Sequence, residues 1–269
     1  EIPNITGDAT ITFATAGDYD VSISGAFPTI YFNDSGDRAK IIDIKQWGNI
    51  SWTSLSNSFR GCNQLQATVT DTPDLTNVTN IASMFRNSSF NKDINHWDVS
   101  NVTNMSFMFY SAGLFNQPLN NWNVSNVNNM IMILRSTSFN QDLSNWDVSG
   151  LVHTRDMFHD APFTGTGVEN WDVSRVSNFS RMFDNSSFNR DISSWDITKG
   201  SNFNEFLRVN TTLSTLNYDA ILEGWVATLD AYVAAGNTYT LTPTIDFGNA
   251  EYTAGGTAEA ARTKLGSGL

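Results

Sequence analysis

Apolar side chains recur along this chain in two alternating rhythms. Ile94, Trp97 and Val99 sit in a short polar-apolar alternation suited to a strand. Val102, Met105, Met108 and Phe109 then follow the i, i+3, i+6, i+7 spacing of a helical turn or two. The pattern predicts a unit of strand, turn, short helix and loop.

The unit repeats. FNKDINHWDVSN (90–101) returns as FNQDLSNWDVSG (139–150) and FNRDISSWDITK (188–199). Trp97, Trp122, Trp146, Trp171 and Trp195 are separated by 25, 24, 25 and 24 residues, and a fixed period of this size marks an array. Three residues before each tryptophan stand Ile94, Leu119, Leu143, Val168 and Ile192, and eight after it Met105, Met130, Thr154, Phe179 and Phe203. Pairs such as Met108-Phe109 and Met182-Phe183 follow at plus eleven and plus twelve. These positions read as inward-facing.

The frame extends backward to WGNISWTSLSNSF (47–59) and to PDLTNVTNIASMF (73–85), where Pro73 replaces the tryptophan. Seven units therefore begin at 47, 73, 97, 122, 146, 171 and 195. Within each, Ser100 and its equivalents Ser125, Ser149, Ser174 and Thr198 are expected to cap the helical segment by accepting a backbone N–H. One unit buries too few apolar side chains to offset its own ordering entropy, so the units are expected to stack.

After Leu213 the pattern changes. LNYDAILEGWVATLDAYVAAG (216–236) predicts an amphipathic helix with Leu216, Ile221, Leu222, Trp225, Val226 and Leu229 on one side and Gly236 at its end. TYTLTPTIDFG predicts a strand pair and TAEAARTKL a last helix. An array needs such a cap over its final apolar coil.

FNKDINHWDVSNVTNMSFMF, Phe90 to Phe109, and its copy from Phe188 onward resemble the repeats of BspA-like leucine-rich-repeat surface proteins of bacteria, a repeat type also found in mycoplasma lipoproteins. The resemblance covers roughly residues 40 to 210. It implies an α/β leucine-rich-repeat-like solenoid of about seven coils of 24–26 residues, with a β-rich N-terminal cap and an α+β C-terminal cap. The expected divisions are 1–40, 41–212 and 213–269. GDATITFATAGDYDVSISG (7–25) is similar to the closing strands of a PKD-like domain. The resemblance also implies a role in adhesion, with display on the bacterial surface and a protein, peptide or glycan partner.

Composition narrows the partners. Among 269 residues, 27 acidic against 15 basic give a formal charge of −12, which disfavours a polyanion such as nucleic acid. Cys62 is the only cysteine, so an intrachain disulfide and a cysteine-based zinc site are excluded. No segment approaches 18 uninterrupted apolar residues, so no direct membrane insertion is expected, and Glu1 does not begin a signal peptide. An export signal or anchor is expected outside this chain.

Two columns flanking the tryptophan are the candidate ligand-binding residues. His96, Asn121, Asn145 and Asn170 precede it, and Asp98, Asn123, Asp147 and Asp172 follow it. On stacked strands the carboxylates would form a ladder able to hold calcium, a basic peptide or sugar hydroxyls. They equally suit the bend before a helical turn, where their charge complements its N-terminus. No cofactor is called for, with calcium the one candidate ion. The tryptophans read as core rather than as sugar platforms.

Catalytic patterns are lacking. His96, His153 and His159 belong to no HExxH motif, and neither a GxSxG turn nor a glycine-rich phosphate loop occurs. The expectation is a non-enzymatic ligand-binding domain of a cell-surface adhesin. The alternatives are a structural spacer and, behind it, a carbohydrate-active array.

Overall fold

The computed structural model describes residues 12–239 and 245–267. Successive units stack in register: single parallel bridges join Ser51 to Asp74, and then Asn80, Asn104, Asn129, His153, Asn178 and Asn202 in series. The bridges never lengthen into a sheet. Among the described residues the only α-helices are α1 (Thr215–Ala234) and α2 (Thr257–Ser267), both after the repeats, with short 3-10 helices at Gly36–Lys40 and Val168–Asn170.

The expected α/β leucine-rich-repeat-like solenoid is therefore corrected. Its coils hold neither the strand at Ile94–Val99 nor the helix at Val102–Phe109. No β-rich N-terminal cap appears over residues 12–40, and residues 1–11 of that expected cap, including 7–11 of the PKD-like stretch, lie outside the described residues. The expected strand pair at 238–248 lies partly outside them too, and its described residues hold no strand.

Backbone conformation explains the correction. Phe107 and Ser111 have φ of 60° and 56°, left-handed values that a right-handed helix cannot contain. The N–H groups of Met105, Phe107, Phe109 and Ser111 donate to Asn129, Ile131, Ile133 and Arg135 carbonyls in the next coil, at 2.8–3.0 Å. Those of Met108, Tyr110 and Ala112 close overlapping turns on Met105, Phe107 and Phe109, and that of Ser106 reaches Asn104 Oδ1 at 3.0 Å. Every donor from Met105 to Ala112 thus has an acceptor, as burial demands.

The same alternation recurs at Ser83 and Asn87, Met132 and Ser136, Asp156 and Asp160, and Arg181 and Asn185, all with positive φ. Turns that advance two residues while closing over three place apolar residues inward at spacings that imitate a helix. The periodicity alone does not separate the two.

The core runs the length of the stack. Phe90, Phe115 and Phe139 stack from coil to coil at 6.5 and 6.3 Å. Within a coil, Phe85 lies 3.7 Å from Phe90 and Phe109 lies 3.8 Å from Phe115. The tryptophans and Met105, Met108, Met157 and Met182 are buried. Where Pro73 leaves the tryptophan column short, Trp47 and Trp97 meet edge to face at 5.5 Å.

Both ends are covered. At the first coil Phe32, Asn33 and Asp34 donate to the carbonyls of Ser58, Asn57 and Arg60. At the other end Ser214 caps α1 by accepting from Asn217 N, and α1 lays Tyr218, Ile221, Leu222, Trp225 and Leu229 on the last coil. Leu216, expected on that face, is exposed instead. Helix α2 completes the cover by burying Ala258, Ala261 and Leu265.

Candidate ligand-binding face

Each expected site residue is exposed: His96, Asn121, Asn145 and Asn170 before the tryptophan, Asp98, Asn123, Asp147 and Asp172 after it. The second column has a local task. Asp98, Asn123, Asp147 and Asp172 each accept the backbone N–H two residues on through Oδ1, at 3.0, 3.2, 3.0 and 3.0 Å. The capping acceptor is thus the aspartate or asparagine, and Ser100, Ser125, Ser149 and Ser174 are its donors. Hydrogen bonds from Ser100 and Ser174, side chain first and backbone second, hold the carboxyls of Asp98 and Asp172 below the usual range. Among the described residues no group of three or more His, Cys, Asp or Glu side chains is placed to hold a metal ion.

The concave surface lies elsewhere. A cleft of about 610 Å³ is lined by Ser125, Asn126, Asn128, Asn129, Gly150, Val152, His153 and Arg175. A second, of about 270 Å³, is lined by Met132, Arg155, Asp156, Asn178, Ser180, Arg181, Asn202 and Asn204. None of the eight expected residues lines either cleft. Both are built around the seventh position after the tryptophan, which carries the bridging residues Asn129, His153, Asn178 and Asn202.

This asparagine column was legible as a repeated letter, yet it reads in the sequence as ordinary turn chemistry. That chemistry is present. Asn80, Asn104, Asn129, Asn178 and Asn202 each accept, through Oδ1, the N–H two residues on at 2.9–3.2 Å. Only the stacking shows that it also lines the clefts.

Beside it runs a column at plus thirteen: Arg60, Arg86, Tyr110, Arg135, His159, Asp184 and Arg208. Six of the ten arginines of the chain lie at plus nine, ten or thirteen, namely Arg60, Arg86, Arg135, Arg155, Arg181 and Arg208. In the later coils they are matched by acids. Buried Asp156 takes Arg135 at 3.1 Å and His159 Nδ1 at 2.9 Å. Buried Asp184 takes Arg208 at 3.0 Å, and Glu205 pairs with Arg181 and Arg208. The Arg181 hydrogen bond holds the Glu205 carboxyl down and raises Arg181 in turn.

A stack of turn-built coils of 24 to 26 residues, closed by a helical pair and bearing two polar clefts, defines the chain as a repeat protein. It belongs to the family described as Mycoplasma protein of unknown function, DUF285, whose model matches residues 53–166 and 132–225, together more than half of the chain. That family is associated with BspA-like and mycoplasma surface repeat proteins. No curated protein and no solved structure matches the chain.

Proposed function

We propose that the chain is a non-enzymatic ligand-binding domain of a bacterial cell-surface adhesin, acting outside the cell on a protein, peptide or glycan of a host or neighbouring cell. The observation that supports this most is the pair of clefts lined by asparagine, serine and arginine side chains, one at the plus-three to plus-seven positions and one at plus seven to plus ten. Their backbone is fixed by inter-coil hydrogen bonds, so a ligand meets a surface already ordered before binding. Membership of a family associated with surface repeat proteins points the same way. Among the described residues no helix is long and apolar enough to cross a membrane.

The test is binding of the folded chain to an array of peptides, matrix proteins and glycans, with calcium and then with chelator. Specific binding weakened by Asn129→Ala or His153→Ala supports the cleft they line, and loss through His96, Asn121 or Asn145 would shift the site to the tryptophan-flanking columns. Silence across the array would sink the adhesin reading in favour of a spacer.

A further inference from the structure

At the fourth position after the tryptophan, asparagine side chains tie each coil to the one before. Asn101 Nδ2 donates to the Thr76 carbonyl at 3.1 Å, and Asn126 Nδ2 to that of Ser100 at 2.7 Å. In the next coil the position is Gly150. A Cβ there would stand 3.2 Å from Ser125 O, the oxygen next in this series, and 3.1 Å from Val127 O. Among the described residues neither oxygen accepts a hydrogen bond.

The same junction is open two residues further on. At the sixth position Thr103 N donates to Thr79 O, Asn128 N to Thr103 O, Ser177 N to Val152 O and Ser201 N to Ser177 O, at 2.9–3.0 Å. Among the described residues no bond of this series joins the Val152 N–H to Asn128, and the two coils meet here at the Asn129–His153 bridge. The cleft of about 610 Å³ lies at this junction, with both Gly150 and Val152 in its lining.

The neighbouring coils show which group fits. There the donor seated against the carbonyl is a carboxamide N–H of the chain itself. The complement of Ser125 O is therefore an amide N–H, and the complement of the Val152 N–H is a carbonyl oxygen; a peptide bond carries both. No Trp, Tyr or Phe lines the cleft to stack a sugar ring.

Arg175 lines the same cleft and is exposed. Among the described residues it takes part in no ion pair, whereas Arg135, Arg155, Arg181 and Arg208 all do. Its fork is open to a carboxylate. A chain of net charge −12 repels a run of acids at long range, so a single carboxylate suits the cleft best.

We propose that the cleft at Gly150 binds a peptide segment bearing one carboxylate. A backbone amide of the peptide takes the place at Ser125 O that the Asn101 and Asn126 side chains fill in their own coils, and the carboxylate lies on Arg175. This inference rests on the ligand-binding reading above and narrows it to one ligand class.

The experiment selects capped random hexapeptides on beads with the full 269-residue chain, then titrates the enriched peptide in solution. The expected peptide carries one aspartate or glutamate and binds more weakly when its backbone amides are methylated. Gly150→Asn and Arg175→Gln should each weaken it about ten-fold or more, and Asn145→Ala should leave it unchanged. Gly150→Asn should fold with an undiminished melting temperature, because asparagine already stands at this position in two coils.

No enrichment, an enriched peptide without a carboxylate, displacement by 3′-sialyllactose, or full affinity in either variant overturns the site. Binding on the array that survives both variants leaves the broader ligand-binding reading standing without this site, and silence of library and array together removes both. Should Gly150→Asn fail to fold, Arg175→Gln decides the matter, since Arg175 is exposed.

Discussion

The indole N–H of Trp122 donates to the carbonyl oxygen of Ile94, three residues ahead of the preceding tryptophan Trp97, at 3.0 Å. Trp146 repeats the bond to Leu119 at 2.9 Å, Trp171 to Leu143 at 3.4 Å and Trp195 to Val168 at 3.0 Å. Trp225 of α1 makes it to Ile192 at 2.9 Å, taking the place of the tryptophan that an eighth coil would bring. Each tryptophan therefore fills the core and is tied to the segment leading into the tryptophan before it.

Trp146→Phe should remove the bond to Leu119 and leave a gap in a packed column, at a cost of about 2–4 kcal/mol. Trp225→Phe should also loosen α1, raising amide exchange across Thr215–Ala234 ahead of the repeats. Urea unfolding followed by fluorescence measures the first effect. An unchanged midpoint would show that the bond and the volume are both dispensable.

Gly167 has φ of +95°, and a Cβ there would stand 2.2 Å from Ser144 N and 2.6 Å from the Leu143 carbonyl carbon. Gly167→Ala should destabilise the chain by about 3 kcal/mol or more, through backbone strain and steric overlap. Gly113→Ala meets nothing within 4 Å and should change stability by less than about 0.5 kcal/mol. Equal melting temperatures for the two variants would contradict the close approach of the coils.

The Cys62 thiol is fully buried, and burial pushes it up to about 12. At pH 8, given as about the ordinary thiol range, it should react with an aromatic disulfide reagent only as fast as the first coils open. Unfolding in guanidinium should restore the rate of a free thiol. A rapid reaction of the native chain would place Cys62 at the surface.

Asp98 and Asp172 titrate below the ordinary carboxylate value in the folded chain. A depressed folded value means that their contribution to stability is present above the unfolded value of about 3.9 and is lost as pH falls through the folded one. Stability should therefore decline below about pH 4, modestly, because both groups are largely exposed. Asp98→Asn should keep the turn, as Asn123 does in its own coil, and flatten that part of the acid limb. An identical limb in the variant would remove Asp98 from the account.

The repeat period, the inward tryptophans and the need for a cap after Leu213 are properties of the sequence alone. They follow from which side chains avoid water and how often they recur. The same letters pointed to a strand at Ile94–Val99 and a helix at Val102–Phe109, and neither is present. Spacing records which residues face inward and leaves open how the backbone joins them. The left-handed turns at Phe107 and Ser111 arise because the next coil supplies the carbonyl acceptors that a helix would have supplied to itself.

The site divided in the same way. His96, Asn121, Asn145, Asp98 and their column mates could be picked out because they vary or repeat beside a recognisable tryptophan. The clefts at Asn129 and His153 and at Asn178 and Asn202, and the pairing of Arg135 with Asp156 and of Arg208 with Asp184, needed coordinates. Residues about 25 apart in the chain become neighbours only when coils stack, and which cation finds an acid depends on that register.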